Sequence, residues 1–593
     1  MSVSTDYRET LQSPFRKSPL SLTQPAAPAQ CGPMPLNEPV GEEIAIHRFA
    51  EAYARHKVAL FAIVAIFFLA SFNGQWVLER DTSLFRGLGH ALATGKGYVF
   101  GEFGTRMVYP GLPLMLAGLE IVFGETALPA ILLMNAMAIG VLVLTYRLIC
   151  LHYPAWVAVA VTVGVGLNAC FLHLSQEIMT DIPFLLGVML VLYGWERLRL
   201  ATASRERWIG AAYLLPGLAL AISTRPTFWI LAMAWGLVCV YALIRGPRRA
   251  FYAISLIAIT AVAITWFFVD PRTRGFNPLA GGYEHDFFTA LHKVGSLARE
   301  NLPDLIQRQF AAFFFGGRFG SVITPIVTLA LIGSTYFLFK RGHALWGTLI
   351  LMTLAVTLAI ETVPRYYLMV LPLVMLAYVL MFNALATRAG PRWADAVFLA
   401  GVVMLMAPNT VRSIAFVYEQ HWEDPGKRKK WAEAIVAAEM IKQHVPQGGK
   451  VIGPVGPILS YLSGRQVYMQ RELLPSDKGP MHYPRYLARR TDIEYAIFKP
   501  GMYADHSEPA IGQMMERGVI VPTDRVARSD GITLARVKIV VPATDWRKNP
   551  VSKPQMVTTT RKAPTSAQAR REHALKKQQS AEARARRERL AWR

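Results

Sequence analysis

Runs of about twenty apolar residues recur along the first two thirds of the chain, separated by short polar blocks. Val58–Val77, Ala155–Leu174 and Phe251–Val269 each approach the roughly 20 residues needed to cross a bilayer core. Reading every such run predicts eleven spans, at 57–78, 127–148, 154–174, 181–196, 208–223, 226–244, 250–269, 321–339, 344–361, 365–386 and 393–415. Tyr109–Gly124 is apolar too, but it opens Tyr-Pro-Gly-Leu-Pro, is short and contains Glu120. It is read as a helix lying at the membrane interface. On that reading twelve basic residues (Arg147, Arg197, Arg199, Arg205, Arg207, Arg245, Arg248, Arg249, Lys340, Arg341, Arg388 and Arg392) share the side of the N-terminal tail, as the positive-inside rule prefers.

An odd number of spans puts the two ends on opposite faces. Residues 1–56 form a polar, Pro- and Ser-rich cytoplasmic tail, expected to be disordered and without a cleavable signal peptide, so the first span stays as an anchor. The opposite face of the cell membrane receives 79–126, the turn at 175–181, the Arg225 turn, the long loop 270–320 and everything after about 416. Residues 417–540 alternate a helical pattern (Trp431–His444) with β-like runs at Lys450–Ile452, Arg465–Met469, Tyr495–Phe498, Val519–Val521 and Leu534–Val541. This reads as a small extracytoplasmic α/β domain. Residues 541–593 read as a basic, disordered tail.

Composition narrows the class. Of 593 residues, 53% are apolar and 17% charged, against about 25% charged in a soluble domain. A single soluble domain and a disordered chain are both excluded. The net charge is +23, and the tail from Val541 holds fourteen Lys/Arg against four Asp/Glu. Basic residues confined to a tail and to loops between apolar runs point to anionic lipid headgroups, not nucleic acid. Four cysteines (Cys31, Cys150, Cys170, Cys239) provide neither a disulfide framework nor a C-x-x-C site.

Candidate chemistry gathers at the outer ends of the spans. Asp81 follows the first span, and Asp181 begins another within Glu177-Ile178-Met179-Thr180-Asp181-Ile182-Pro183. Ionisable groups at such boundaries are often functional. Each aspartate alone also fits a solvated cap at a helix N-terminus. Arg225 and Arg365 stand at outer span ends against the positive-inside preference. Snorkelling to headgroups is one reading; a guanidinium gripping a phosphate through paired hydrogen bonds is the other.

Taken in order, Asp81, Leu84–Leu92, Ala93-Thr94-Gly95-Lys96-Gly97-Tyr98, Tyr109-Pro110-Gly111, Phe123-Gly124, Glu177/Asp181-Ile-Pro, Thr224-Arg225-Pro226 and Arg365-Tyr366-Tyr367 form a series over about 57–416. The series resembles the polytopic GT-C glycosyltransferases, in the branch of protein mannosyltransferases and aminoarabinose transferases to lipid A. The resemblance implies a GT-C-like membrane domain that takes a sugar from a polyprenyl-phosphate donor to a hydroxyl acceptor on lipid, glycan or protein. The family's first-loop aspartate falls on Asp81 and its second acidic position on Asp181. Many relatives carry Asp-Glu in the first loop, whereas Thr82 follows Asp81 here.

A lipid phosphate leaves already charged, so cationic stabilisation matters more than a strong general acid. Arg225 and Arg365 are the candidates, with Lys96 or Arg86 able to stand in for one. Asp81 is the candidate base for the acceptor hydroxyl, in a single inverting displacement. Asp181 orients acceptor or sugar or shares that role, and Glu177 and Tyr109 are further candidate substrate-binding residues. No cofactor is expected. A divalent cation would draw on Asp81, Glu102, Glu177 and Asp181, but the spacing imposes no geometry and a metal-independent reaction is favoured. The histidines His56, His90, His152, His173, His285 and His292 lack metal-motif spacing and read as ordinary polar or interfacial residues. Phe310–Phe315 in the long loop reads as part of a mobile cover or of an aromatic anchor at headgroup level. The rival class is a transporter or lipid flippase, disfavoured because the apolar runs carry almost no charge at their midpoints. A third reading, a scaffold recruiting partners through 417–593, leaves the two aspartates unexplained.

Overall fold

A computed structural model describes residues 55–72, 80–100, 108–245, 248–269, 323–359, 364–422, 425–454, 456–469, 492–498 and 520–540, with 52, 74, 103–104, 310–315 and parts of 295–306. Nearly all of the N-terminal tail, most of the 270–320 loop, Glu102 and the basic tail lie outside the described residues.

In chain order the first helices are α1 (Lys57–Ser71), α2 (Arg80–Ala93), α3 (Gly111–Phe123), α4 (Leu128–Cys150), α5 (Ala155–Gly166) and α6 (Ala169–Ser175). A two-residue ribbon, β1 (Val99–Phe100) with β2 (Phe103–Gly104), stands between α2 and α3. Next come α7 (Asp181–Leu200), α8 (Ser204–Thr224), α9 (Phe228–Arg245), α10 (Arg249–Val269), α11 (Phe310–Phe315), α12 (Ile323–Lys340) and α13 (Ala344–Ala359). A 3-10 segment, Pro364–Val370, leads into α14 (Leu371–Arg388), followed by α15 (Ala394–Trp422) and α16 (Pro425–His444).

The evenness of apolar character along each helix decides its place. α5 alternates valine with small residues and has no polar stripe; a helix apolar all round is buried, and every residue from Trp156 to Gly166 is. It packs against α14, whose first ten residues, Leu371–Leu380, are also buried. The outer helices keep one apolar face uncovered. Leu128, Leu132, Ile139 and Val143 on α4, and Met233, Leu237, Val240 and Ile244 on α9, are exposed at helical spacing. Apolar faces this extensive on helices that are also apolar inside belong in lipid. The chain is a helical membrane protein.

Among the described residues four helices are by themselves long and apolar enough to cross: Leu128–Cys150, Phe228–Arg245, Arg365–Arg388 and Ala394–Tyr418. A fifth is the pair α5 and α6, bent by 63°. The rest fall short for two reasons. Lys57–Ser71, Gly111–Phe123 and Ala344–Ala359 are brief, while α7 and α8 carry charge at one end, Glu196, Arg197 and Arg199 or Arg205, Glu206 and Arg207. α3, at 13 residues, reaches only about 20 Å at 1.5 Å per residue, less than the ~30 Å hydrocarbon core.

Two features of this unit bear on function. α7 and α8 lie close along their length, and glycines make that possible. A Cβ on Gly187 or Gly194 would collide with the backbone of α8 at Ala221 or Leu214, and one on Gly217 with the backbone of α7 at Val191. The resulting seam sets the start of α7 beside the end of α8. Second, α11 is core. Phe310, Phe313 and Phe314 are buried and edge-packed on Tyr367 or each other, with Asn168 Nδ2 and Asn409 Nδ2 donating to the Phe313 and Phe314 carbonyls at 2.9 and 2.6 Å. These rings are therefore neither cover nor headgroup anchor.

The chain divides into two compact units, Met1–Ala438 with Pro457–Gln466, and Glu439–Gly456 with Val467–Arg593. The second contains a five-stranded sheet of order β4-β3-β5-β7-β6, with β3 Lys450–Gly453, β4 Gln466–Met469, β5 Tyr495–Phe498, β6 Ile520–Ser529 and β7 Ile532–Ile539. β3 and β5 are parallel; β5–β7 and β7–β6 are antiparallel. β6 runs eight residues past the expected end at Val521. Its Pro522, Asp524, Arg525 and Arg528 suit an edge strand that must not pair further, so it shows no alternation. Asp530 (φ 50°) and Gly531 (φ 78°) form the two-residue turn into β7, the left-handed geometry that Asp-Gly favours. α17 (Gly456–Ser463) lies between β3 and β4.

Candidate active site

The α7–α8 seam delivers the first half of the site. Asp181 occupies the first turn of α7, where the unpaired N–H groups and the macrodipole favour a carboxylate. Arg225 is the residue capping the end of α8. Arg225 Nη1 donates to Asp181 Oδ1, and both side chains are largely shut from solvent, at 12% and 1% exposure. The other carboxylate oxygen, Oδ2, is buried without a hydrogen-bond partner.

The second half comes from two more distant elements. Asp81 lies in the first turn of α2, and the 3-10 segment presents Arg365 to it, Nη1 donating to Oδ2 at 3.2 Å. This pair is open, at 39% exposure for Asp81 and 34% for Arg365. Arg365 feels the charges of both Asp181 and Asp81, so the two pairs form one cluster. Its Nε is buried and unpaired. Tyr366 bridges the halves, its ring 5.5 Å from the Arg225 guanidinium carbon. The cluster is thus four side chains from α2, α7, the residue after α8 and the 3-10 segment, with alternating charge.

Glu177 stands in the turn before α7, buried, 3.0 Å from His173 Nε2. That turn is held by Gln176, whose Nε2 donates to Ser71 Oγ at 3.0 Å and Asn135 Oδ1 at 2.8 Å. Tyr109 is buried two residues before Gly111, and a Cβ there would strike the Ser223 carbonyl; α3 therefore starts against the end of α8. Lys96 differs. It is exposed in the turn after α2, its backbone N–H donating to the Ala91 carbonyl at 2.8 Å, and among the described residues its side chain makes no ion pair. Arg86 is also committed elsewhere. Its Nη2 donates to the Glu125 carbonyl at 2.7 Å and its guanidinium lies 5.1 Å from the Tyr461 ring. Burial draws the Arg86 guanidinium below its ordinary value, opposed by Tyr461, Glu120 and Glu125.

The sequence reading brings Asp81, Asp181, Arg225 and Arg365 forward but assigns no role to Tyr366 or Gln176. Tyr366 has a local signal, adjacency to Arg365. Gln176 has none, because its partners lie 105 and 41 residues away. As to metals, two groups of His and carboxylates among the described residues come close enough to share an ion: His90–Glu120–Glu125 and His152–Glu196–His343. Neither includes Asp81 or Asp181, whose carboxylates are engaged by arginine.

No protein-family model and no curated protein matches the chain. Among solved structures it is similar to ArnT from Cupriavidus metallidurans bound to undecaprenyl phosphate, with 13% identity over 81% of this chain and 97% of that one and a TM-score of 0.49. It is also similar to the archaeal oligosaccharyltransferase AglB from Archaeoglobus fulgidus in complex with an inhibitory peptide and a dolichol-phosphate, with 12% identity, 75% and 70% coverage and a TM-score of 0.49. Likenesses of this depth leave the functional reading to rest on the side chains.

Proposed function

We propose that this chain is a membrane glycosyltransferase that moves a sugar from a polyprenyl-phosphate donor to a hydroxyl acceptor at the outer membrane face. The observation that carries the reading is the pair of Asp–Arg contacts, Asp181 with Arg225 and Asp81 with Arg365, joined through Tyr366, which follows Arg365 and lies against Arg225. Two carboxylates and two guanidinium groups match what the reaction asks of a protein: a proton acceptor and a phosphate grip. With α3 at the interface and the shorter helices also crossing, an eleven-span arrangement would set this cluster on the non-cytosolic side.

In the transfer, the acceptor oxygen bonds to the anomeric carbon as the bond from that carbon to the phosphate oxygen breaks. The hydroxyl proton passes to Asp81, and the lipid phosphate leaves as an anion. Asp81 commits Oδ2 to Arg365, leaving its second oxygen to face an acceptor. Arg365 retains the unpaired Nε–H for a phosphate oxygen, and charge-assisted bonds of this kind are the strong ones. Asp181 keeps Arg225 in place while its free Oδ2 orients a sugar hydroxyl. A single displacement inverts the anomeric centre. No step needs a metal ion at the two aspartates.

The test is purified protein in detergent with a radiolabelled polyprenyl-phosphate sugar and a mixed pool of lipid and peptide hydroxyl acceptors. Release of polyprenyl phosphate together with a labelled product, lost in Asp81→Asn, supports the reading. Passage of a solute across sealed vesicles without bond cleavage supports a transporter instead and ends it.

A further inference from the structure

The far end of α7 carries a second polar cluster for which the transfer reaction has no use. Glu196 lies roughly 22 Å along the helix from Asp181, at 1.5 Å per residue. His152 arrives from the turn joining α4 to α5, and His343 from the turn joining α12 to α13. One ring nitrogen from each histidine and one carboxylate oxygen of Glu196 all lie within 4.8 Å of one another. Glu196 is 3% and His343 6% exposed.

The bonding within this cluster is incomplete in a way that points to a ligand. His152 Nε2 is 3.2 Å from Glu196 Oε2, an ion-pair contact. His343 Nδ1 is buried and unpartnered, its ring stacked on Trp346 at 4.1 Å. The Tyr153 hydroxyl, on a ring 5.5 Å from that of His343, is a second buried polar atom without a hydrogen-bond partner. Buried polar atoms are normally satisfied, and unpartnered ones beside three grouped ligand atoms call for an occupant. Arg199 meanwhile fixes the carboxylate, donating from Nε and Nη2 to Glu196 Oε2 at 2.8 and 2.7 Å.

We propose that His152, Glu196 and His343 bind one divalent transition-metal ion of the zinc class. Two imidazoles with one carboxylate suit zinc and not the oxygen-seeking magnesium or calcium. Zinc with ligands at 2.0–2.1 Å in tetrahedral array sets donor atoms about 3.3 Å apart, close to the His152–Glu196 spacing. Arg199 serves as the hydrogen-bonded orienter that metal-bound carboxylates usually have. The ion ties two inter-helix turns to the end of α7, a structural role separate from glycosyl transfer. The other three-residue group fits a plain ion pair better: His90 Nδ1 is bonded to Glu120 Oε1 at 2.6 Å, and Glu125 is 73% exposed.

The experiment uses the full chain in detergent, purified without a metal-affinity tag. Zinc is counted by mass spectrometry after dialysis, and cobalt(II) is titrated into chelator-stripped protein while its visible absorption is followed. About one zinc per chain and a tetrahedral cobalt spectrum are expected. His343→Asn or Glu196→Gln should weaken cobalt binding by more than the roughly 10–100-fold that loss of an outer-shell partner costs, and His90→Asn should leave it unchanged. Wild-type chain that holds no zinc and gives no cobalt spectrum overturns the proposal without recourse to any variant. So does loss of metal in His90→Asn with retention in His343→Asn.

Discussion

The two Asp–Arg pairs use the same chemical groups in opposite settings. Asp181–Arg225 is closed off, while Asp81–Arg365 is about one-third open to solvent. A buried pair contributes little net stability but is costly to halve, because the remaining charge is stranded. An exposed pair contributes about 0–1 kcal/mol and separates readily. The comparison assigns Asp181–Arg225 to holding the cluster and Asp81–Arg365 to exchanging partners with substrate.

The sharpest way to break that division is Asp81→Asn. Transfer from the polyprenyl-phosphate sugar is expected to drop by about 10²–10⁴-fold, the usual worth of a general base, with thermal unfolding in detergent unchanged. Turnover within a few fold of wild type would remove Asp81 from the reaction. Asp181→Asn tests the other half: it strands Arg225 and should cost about 3–5 kcal/mol of stability, seen as a lowered unfolding temperature. If Asp181→Asn unfolds no earlier than Asp81→Asn, the two pairs are not different in kind. Gly194→Leu attacks the scaffold beneath the buried pair, and overpacking the seam should cost about 1–3 kcal/mol, measured by the same melt. Smallest of all, Arg365→Ala should lower stability by no more than about 1 kcal/mol, while raising the donor concentration needed for half-maximal rate. A large drop in stability there would mean that Arg365 is structural.

What could be read in advance follows from how local each signal is. α4 was expected over 127–148 and is found over Leu128–Cys150, because a long apolar run between polar blocks is legible from the residues alone. The 154–174 run hides a break. Asn168 caps α6 with Oδ1 accepting from the Phe171 N–H at 3.0 Å, and an N-cap residue within an apolar run was the available sign. β6 was too short in the sequence reading because an edge strand has no inward face to impose alternation, although Asp530-Gly531 marked its turn. Both aspartates and both arginines of the candidate site were visible from their positions at span ends. Which arginine takes which aspartate was not, since Arg365 and Asp81 are 284 residues apart. Lys96, a stand-in for one arginine in the sequence reading, is an exposed turn residue. The cluster of His152, Glu196 and His343 was invisible to motif spacing for the same reason: two separate turns and the end of α7 assemble it.

The glycine contacts between α7 and α8 have a wider reach than closeness of packing. A groove keyed by Gly187, Gly194 and Gly217 admits one axial setting of α7, and that helix bears an acid at either terminus. Sliding it by a single turn, about 5.4 Å, would carry Asp181 off Arg225 and drag Glu196 from its histidines in the same stroke. Bulky replacements in the groove should therefore look like two unrelated lesions, although each arises from one displaced rod.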